Sequence, residues 1–286
     1  MSASATLLSD GRLHLNHGPI DVVLRAWGDR TEVKRAYAQA AAVFRGVLPG
    51  LCRELPLLRR PLPAERPQGL VARRMHEAAS PFTDRFVTPM AGVAGAIADH
   101  LLAALRDGRR LTRAFVNDGG DIALYLEPDQ SFRCGVVTDL AAPGLDAVAT
   151  ITSEDRIGGI ATSGRAGKAQ GGRSFSLGIA DSVTVLAADA ATADVAATLI
   201  ANAVDLPGHK AVQRVPAISL DPDSDLGERL VTISLGPLKP AEIRHALAAG
   251  LAEAERFRSR GLIRAAILHL GGARAVCGPA PVAIAA

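Results

Sequence analysis

Residues 113–126 read RAFVNDGGDIALYL. Asn117, Asp118, Gly119 and Gly120 are what a tight turn requires: glycine reaches positive φ at no steric cost, and Asn and Asp bond their own backbone. The stretch predicts a hairpin, with one strand from Arg113 to Asn117, a turn at Asp118-Gly119-Gly120 and a second strand from Asp121 to Leu126. Glu127-Pro128-Asp129-Gln130 turns the chain again, so Ser131 to Val137 is expected as the third strand of a meander. Strands joined this tightly run antiparallel, because a parallel pair needs a long crossover.

Hairpins recur on both sides of this one. Toward the N-terminus, RLHLNHGPIDVVLRAW at 12–27 reads as two short strands around His17-Gly18-Pro19. Asp29 followed by Glu32 marks a helix start, and the helix is expected to run to about Glu54. Val33, Tyr37, Ala40, Phe44, Val47, Leu48 and Leu51 share its apolar face. Residues 55–74 hold Pro56, Pro61, Pro63 and Pro67, a density that predicts a surface excursion without helix. Arg53, Arg59, Arg60, Arg66, Arg73 and Arg74 cluster there, as an anion-contacting arm or as a solvated loop. Residues 90–106 predict a second helix, whose Ala91, Gly92, Ala94, Gly95 and Ala98 permit close approach by another element or a ligand.

Toward the C-terminus, RIGGIATSGRAGKAQGGRSFSLG at 156–178 reads as a flexible glycine-rich loop. SVTVLAA at 182–188 is a strand, and Asp189 caps a helix through about Ala203 with Val195, Leu199 and Ala203 inward. LVTISL at 230–235 is another strand. Pro240 and Gly261 bracket what is expected to be the longest helix. Residues 262–270, the Gly271-Gly272 turn and Arg274 to Cys277 close a last hairpin. Strands paired in hairpins and separated by four long helices predict an α+β fold, with largely antiparallel β-sheets covered by long helices. The expected organisation is one domain over 1–278, in which two intertwined β/α lobes are conceivable, with 279–286 as a frayed tail.

Composition narrows the function. The 286 residues carry a net charge of +3, too little for a dedicated nucleic-acid binder, and ten aromatics offer no stacking platform for single strands. The most apolar stretch, Met90 to Leu105, contains Asp99 and His100, so no membrane span is expected. MSASATLLSDGRLHL lacks a basic segment followed by an apolar run, so no secretory leader is expected. Three well-separated cysteines suit neither a disulfide framework nor a zinc site, and the expected location is the cytoplasm. The partner these features leave is a small molecule, with a homodimer left open.

Three groups of residues could carry chemistry. The first is the hairpin turn, where Gly119 and Gly120 let a ring or phosphate lie against the backbone and Asn117 or Asp121 would bond it; the same residues also simply make a turn. The second is Thr162, Ser163 and Gly164, whose hydroxyls and freed N–H groups suit an anion, with Arg165, Lys168 and Arg173 nearby. Gly167-Lys168 is followed by Ala169, so this is not the GxxxxGK(S/T) phosphate loop. The third is Asp194 and Thr198, four apart on one helical face, a carboxylate and a hydroxyl that suit a hard cation such as magnesium. By themselves they read more simply as an exposed Asp and a Thr bonding its own helix. The seven histidines show no metal-ligand spacing, and His100 is the one placed nearest these segments.

In this order, GVAGAIAD at 92–99, VNDGGDI at 116–122, IATSG at 160–164 and SVTVLAADAATADVAAT at 182–198 resemble the ApbE family, flavin-binding, magnesium-dependent FAD:protein FMN transferases. The nearer likeness is to an uncharacterised family of short cytoplasmic relatives of ApbE, and it covers nearly the whole chain. The resemblance implies FAD or FMN as ligand at Gly119 and Gly120, with Thr162, Ser163 and Gly164 beside it. It implies magnesium at Asp194 and Thr198, with a backbone carbonyl from near Gly95 or Ala96. The chain also departs from the family. Ser176-Leu177-Gly178-Ile179-Ala180-Asp181 stands where ApbE proteins have His-Ile-Ile-Asp-Pro, and Asp99-His100 where they have Lys-Gly. The family's stretch over the adenine looks missing or compressed into residues 75–90. Two readings follow: a magnesium-dependent transferase acting on a flavin or another phosphorylated small molecule, with Asp181 the carboxylate left in the replaced segment, or a non-catalytic binding or assembly protein.

Overall fold

The computed structural model describes residues 2–136, 147–165, 175–279 and 282–284. Its strands are β1 (Ser4–Leu7), β2 (Leu13–His17), β3 (Ile20–Gly28), β4 (Leu111–Asp118), β5 (Asp121–Leu126), β6 (Ser131–Val136) and β7 (Ala147–Thr152). They continue as β8 (Gly159–Ser163), β9 (Ser182–Ala187), β10 (Val212–Pro216), β11 (Leu230–Leu235), β12 (Ala265–Leu270), β13 (Ala273–Cys277) and β14 (Val282–Ile284). The helices are α1 (Arg30–Leu58), α2 (Leu70–Ala79), α3 (Val93–Arg106), α4 (Ala190–Ala203) and α5 (Pro240–Ser259). This is the α+β pattern, and every pairing whose register is defined is antiparallel.

The chain divides into two compact, interleaved units. The first comprises Met1–Phe132, Ile151–Ala161 and Ala187–Val195. Its strands lie in the order β1-β2-β3-β4-β5-β8. Alternate residues of β2 and β3 (Leu13, Leu15, Ile20, Val22, Leu24, Ala26) are buried, and α1 and α3 pack over the sheet. α1 starts where Asp29 accepts from the N–H groups of Thr31 and Glu32. It runs past the expected end at Glu54, contains Pro49 and Pro56 and, with 29 residues against 20 in α5, displaces α5 as the helix expected to be longest. Each proline removes one backbone bond, but the buried stripe Ala36, Ala40, Phe44, Val47, Leu51 and Leu58 holds the helix along its length. The stretch after it is likewise not helix-free: α2 buries Val71, Ala72, Met75, Ala78 and Ala79, a helical spacing masked by the surrounding arginines.

The second unit comprises Arg133–Thr150, Thr162–Leu186 and Ala196–Ala286. In it β9, β12 and β13 lie side by side, with α5 packed on β12 and β13, and β10 pairs with β11. α5 begins at Pro240, and Gly261 follows it with φ +73°, as expected of a first-turn proline and a C-terminal glycine.

Other expectations are corrected. β6 pairs with β7 rather than extending the β4–β5 hairpin, so no three-strand meander forms. Gly159–Ser163, expected within a flexible loop, is a strand in which Ile160 opposes Ile122 and Gly159 opposes Ala123. Residues 166–174 of that glycine-rich stretch, Lys168 and Arg173 included, lie outside the described residues. Val282–Ile284, expected as frayed tail, pairs antiparallel with β7.

Candidate functional site

The site begins with the β4–β5 turn of the first unit. Asp118 and Asp121 are cross-strand partners, and the turn between them has Gly119 at φ +63° and Gly120 at φ +112°. Asn117 Oδ1 accepts the Gly120 N–H at 2.8 Å, so its side-chain oxygen is engaged in building the turn. A Cβ built on either glycine would meet no heavy atom within 4 Å, which leaves the outer side of the turn open.

α3 and the first turn of α4 meet at the small residues noted in the sequence. A Cβ on Gly95 would collide with the Ala190 carbonyl, and one on Gly92 would lie 2.8 Å from Val195 Cγ2. This closeness permits a reciprocal exchange. Asp194 of α4 accepts the Gly95 N–H at 3.1 Å and is also bonded by the Ala94 N–H, in the first turn of α3. Asp99 of α3 accepts the Ala190 N–H at 3.1 Å and the Ala191 N–H at 2.9 Å, in the first turn of α4. Each helix thus supplies a carboxylate to the other's N-terminal N–H groups, where negative charge is favoured. Asp189 completes the cap by accepting the Thr192 N–H at 2.8 Å.

The carboxylates differ in what surrounds them. Burial pushes Asp118 up to about 8, and the charges of Asp121 and Asp21 push the same way against the Asp21 N–H bond. Asp194 is half-buried, and the protein packed around it raises its carboxyl well above the ordinary range; Asp121 and Asp118 add repulsion, opposed by the Gly95 and Ala94 N–H groups. Burial raises Asp99 to about 6 despite its N–H bonds and Arg74, whose Nη1 lies 3.8 Å from Asp99 Oδ2. Asp118, Asp121 and Asp194 therefore form one mutually repelling acidic region. Among the described residues, no three His, Cys, Asp or Glu side chains form a metal-holding set by themselves. A cation here would need hydroxyl or carbonyl oxygens as well.

Thr198 follows Asp194 by one turn of α4 and is half-buried. Gly95 turns its N–H, not its carbonyl, toward Asp194. His100 is half-buried, and burial, then Arg74, lowers its affinity for a proton.

In the second unit, Thr162 Oγ1 lies 2.9 Å from Thr184 Oγ1, and Ser163 is partly exposed beside it. Gly164 has φ +128°, and a Cβ there would lie 2.7 Å from the Asp181 carbonyl oxygen. Asp181 Oδ2 accepts the Gly271 N–H at 2.6 Å, and its Oδ1 is 3.7 Å from Arg165 Nη1. That carboxylate ties the β12–β13 turn.

Two residues escape the sequence reading. Asp118 reads there as turn chemistry alone; its even position in β4, which turns it inward, is the available signal. Asp99 reads only as a departure; a lone carboxylate on a buried face of small residues is the signal that it caps something.

The sequence model of a family described as "AbpE bacteria" matches residues 5–276. Among curated relatives, a UPF0280 protein of Methanoregula boonei is 35% identical over 167 residues, 57% of this chain and 67% of its own length. One from Methanospirillum hungatei is 35% identical over 45% of this chain, which spans only half (50%) of that relative. One from Methanopyrus kandleri is 34% identical over 218 residues, 74% of this chain and 83% of its own. Among solved structures, the flavinyl transferase ApbE of Pseudomonas stutzeri aligns over 97% of this chain and 95% of its own at 13% identity and a TM-score of 0.41. The flavin transferase ApbE of Vibrio cholerae aligns over 96% and 97% at 14% identity and a TM-score of 0.39.

Proposed function

The chain belongs to the AbpE bacteria family, and we propose that it binds a flavin nucleotide, or a like phosphorylated small molecule, together with magnesium. The observation that supports this is the acidic region of the first unit. Burial, and then the neighbouring charge of Asp121, makes Asp118 and Asp194 hold protons more tightly, and a divalent cation would relieve the repulsion among the three. The donor set is oxygen only, which fits magnesium better than a softer metal. Asp194 would be the principal ligand, with Thr198 one turn on. Magnesium, when bound, supplies neutralisation of phosphate charge.

The chain's own residues do the rest. The N–H groups of Ala94 and Gly95 fix the Asp194 carboxylate, and the open Gly119-Gly120 turn gives a flat ring a backbone surface. Thr162, Ser163 and Gly164 of the second unit are proposed as ligand contacts by their hydroxyls and N–H groups. Cys52, Cys134 and Cys277 are free thiols, which suits the cytoplasm as the place of action.

A second reading, a binding or assembly protein without transfer chemistry, has its own support. The replaced segment lacks the family histidine, and its one carboxylate, Asp181, is engaged by the Gly271 N–H.

The test is a visible absorption spectrum of the purified protein, with thermal shifts in FAD, FMN and magnesium. Ligand at a hundred times its Kd should add about 2.7 kcal/mol of stability. Asp194→Asn, which keeps an acceptor for the Gly95 N–H, should abolish the magnesium-dependent shift. Neither flavin absorbance nor any shift with FAD or FMN would overturn the flavin reading; an unaltered magnesium response in Asp194→Asn would overturn the metal assignment. A turnover assay with FAD separates the transferase from the binding protein.

A further inference from the structure

A cleft of about 450 Å³ lies in the first unit, lined by α2 and the start of α4. That volume is within the range of small-molecule sites. Its two arginines and two carboxylates balance in number, but they are unequally partnered. Glu77 is ion-paired with Arg66, while Asp189 accepts the Thr192 N–H and keeps its negative charge. Arg74 faces Asp99 at 3.8 Å and keeps 40% of its side chain exposed. Arg73 is half-buried and, among the described residues, has no ion pair or side-chain hydrogen bond. The N–H groups of Ala190, Ala191 and Thr192 are already bonded to Asp99 and Asp189, so the arginines rather than the helix end supply the positive charge.

The wall beside them is apolar. Leu70 lines the cleft with 64% of its surface exposed, and Ala78 lies on the same helix. An open leucine next to an unanswered guanidinium matches a ligand with two parts. Guanidinium groups bind carboxylate and phosphate oxygens through paired N–H donors.

We propose that this cleft binds a small organic anion, whose phosphate or carboxylate pairs with Arg73 and Arg74 and whose apolar body lies on Leu70. The site shares no side chain with the magnesium and flavin assignment and does not depend on it.

Calorimetric titration of the full chain in EDTA, at low salt, tests this with three probes: AMP, benzoate and inorganic phosphate. AMP or benzoate should bind at least tenfold more tightly than inorganic phosphate, which has no apolar body. If AMP alone does so the group recognised is a phosphate ester; if benzoate alone, a carboxylate. Arg73→Gln should weaken the better probe at least tenfold at unchanged Tm, and Arg73→Lys should recover only part of the loss. Leu70→Ser should weaken AMP and benzoate and leave inorganic phosphate unaffected. No binding of any probe at millimolar concentration, or equal affinities in the wild type and Arg73→Gln, would overturn the proposal.

Discussion

Gly95 and Gly119 both lie in small-residue segments that the ApbE resemblance places at a ligand, yet they are glycine for opposite reasons. At Gly95 the backbone is ordinary helix and space is lacking, because Ala190 fills the place of a side chain. At Gly119 space is plentiful, and it is φ +63° that excludes most residues. Gly158 and Gly159 behave like Gly95, closed by the backbone of Ala188 and Asp189. Smallness in the α3 and β8 segments therefore serves the protein's own packing, and the turn is where it leaves room for something else.

Substitutions can break that contrast. Gly95→Ala should cost the most, about 3 kcal/mol in urea unfolding, because a backbone carbonyl and not a flexible side chain must move. A cost below about 1 kcal/mol would show that α3 and α4 can part easily. Asp99→Ala should cost about 2 kcal/mol by leaving the Ala190 and Ala191 N–H groups unpaired inside the protein; circular dichroism should show it still folded. Gly119→Ala should cost about 1 kcal/mol, from φ alone, and Gly119→Asn less, since Asn tolerates that region. If Gly119→Ala proved as damaging as Gly95→Ala, the turn would be packed against something and the contrast would fail.

The last expectation is a slope with pH. Asp99 at about 6 and Asp118 at about 8 bind protons more tightly folded than unfolded. From the ordinary carboxylate range up to those values the native state then holds more protons, so this contribution to stability is full at low pH and lost as pH rises through them. Tm should fall from about pH 5 to about pH 8, and Asp118→Asn should flatten the upper part of the fall. A Tm unaffected by Asp118→Asn at both ends would refute the burial assigned to that carboxyl.

Much of the fold is legible in the sequence because its signals are local. The Asp-Gly-Gly turn, the Asp29 cap and the Pro240 and Gly261 boundaries each depend on residues close to one another in the chain. β1 is not legible: all four of its residues are exposed, so no burial pattern marks it. β8 is hidden because glycine-rich sequence reads as loop, while here glycine at 159 is what lets a strand pass beside Asp189. α2 is legible in its apolar spacing but outvoted by prolines and arginines. In the site, the turn residues can be found from sequence; the exchange between α3 and α4 cannot, because Asp99 and Asp194 bond backbone 91 to 99 positions away.

That exchange bears on how the motif around Asp194 should be interpreted. One carboxylate latches α3 and, in the proposed function, also receives a cation, so the two tasks are thermodynamically linked. A chain that had abandoned flavin chemistry altogether would still need an oxygen acceptor at 194 to keep its two helices docked. The presence of Asp194 is thus explained by architecture before catalysis is invoked; a cation titration tests the metal and turnover of FAD tests the enzyme, and the residue by itself decides neither.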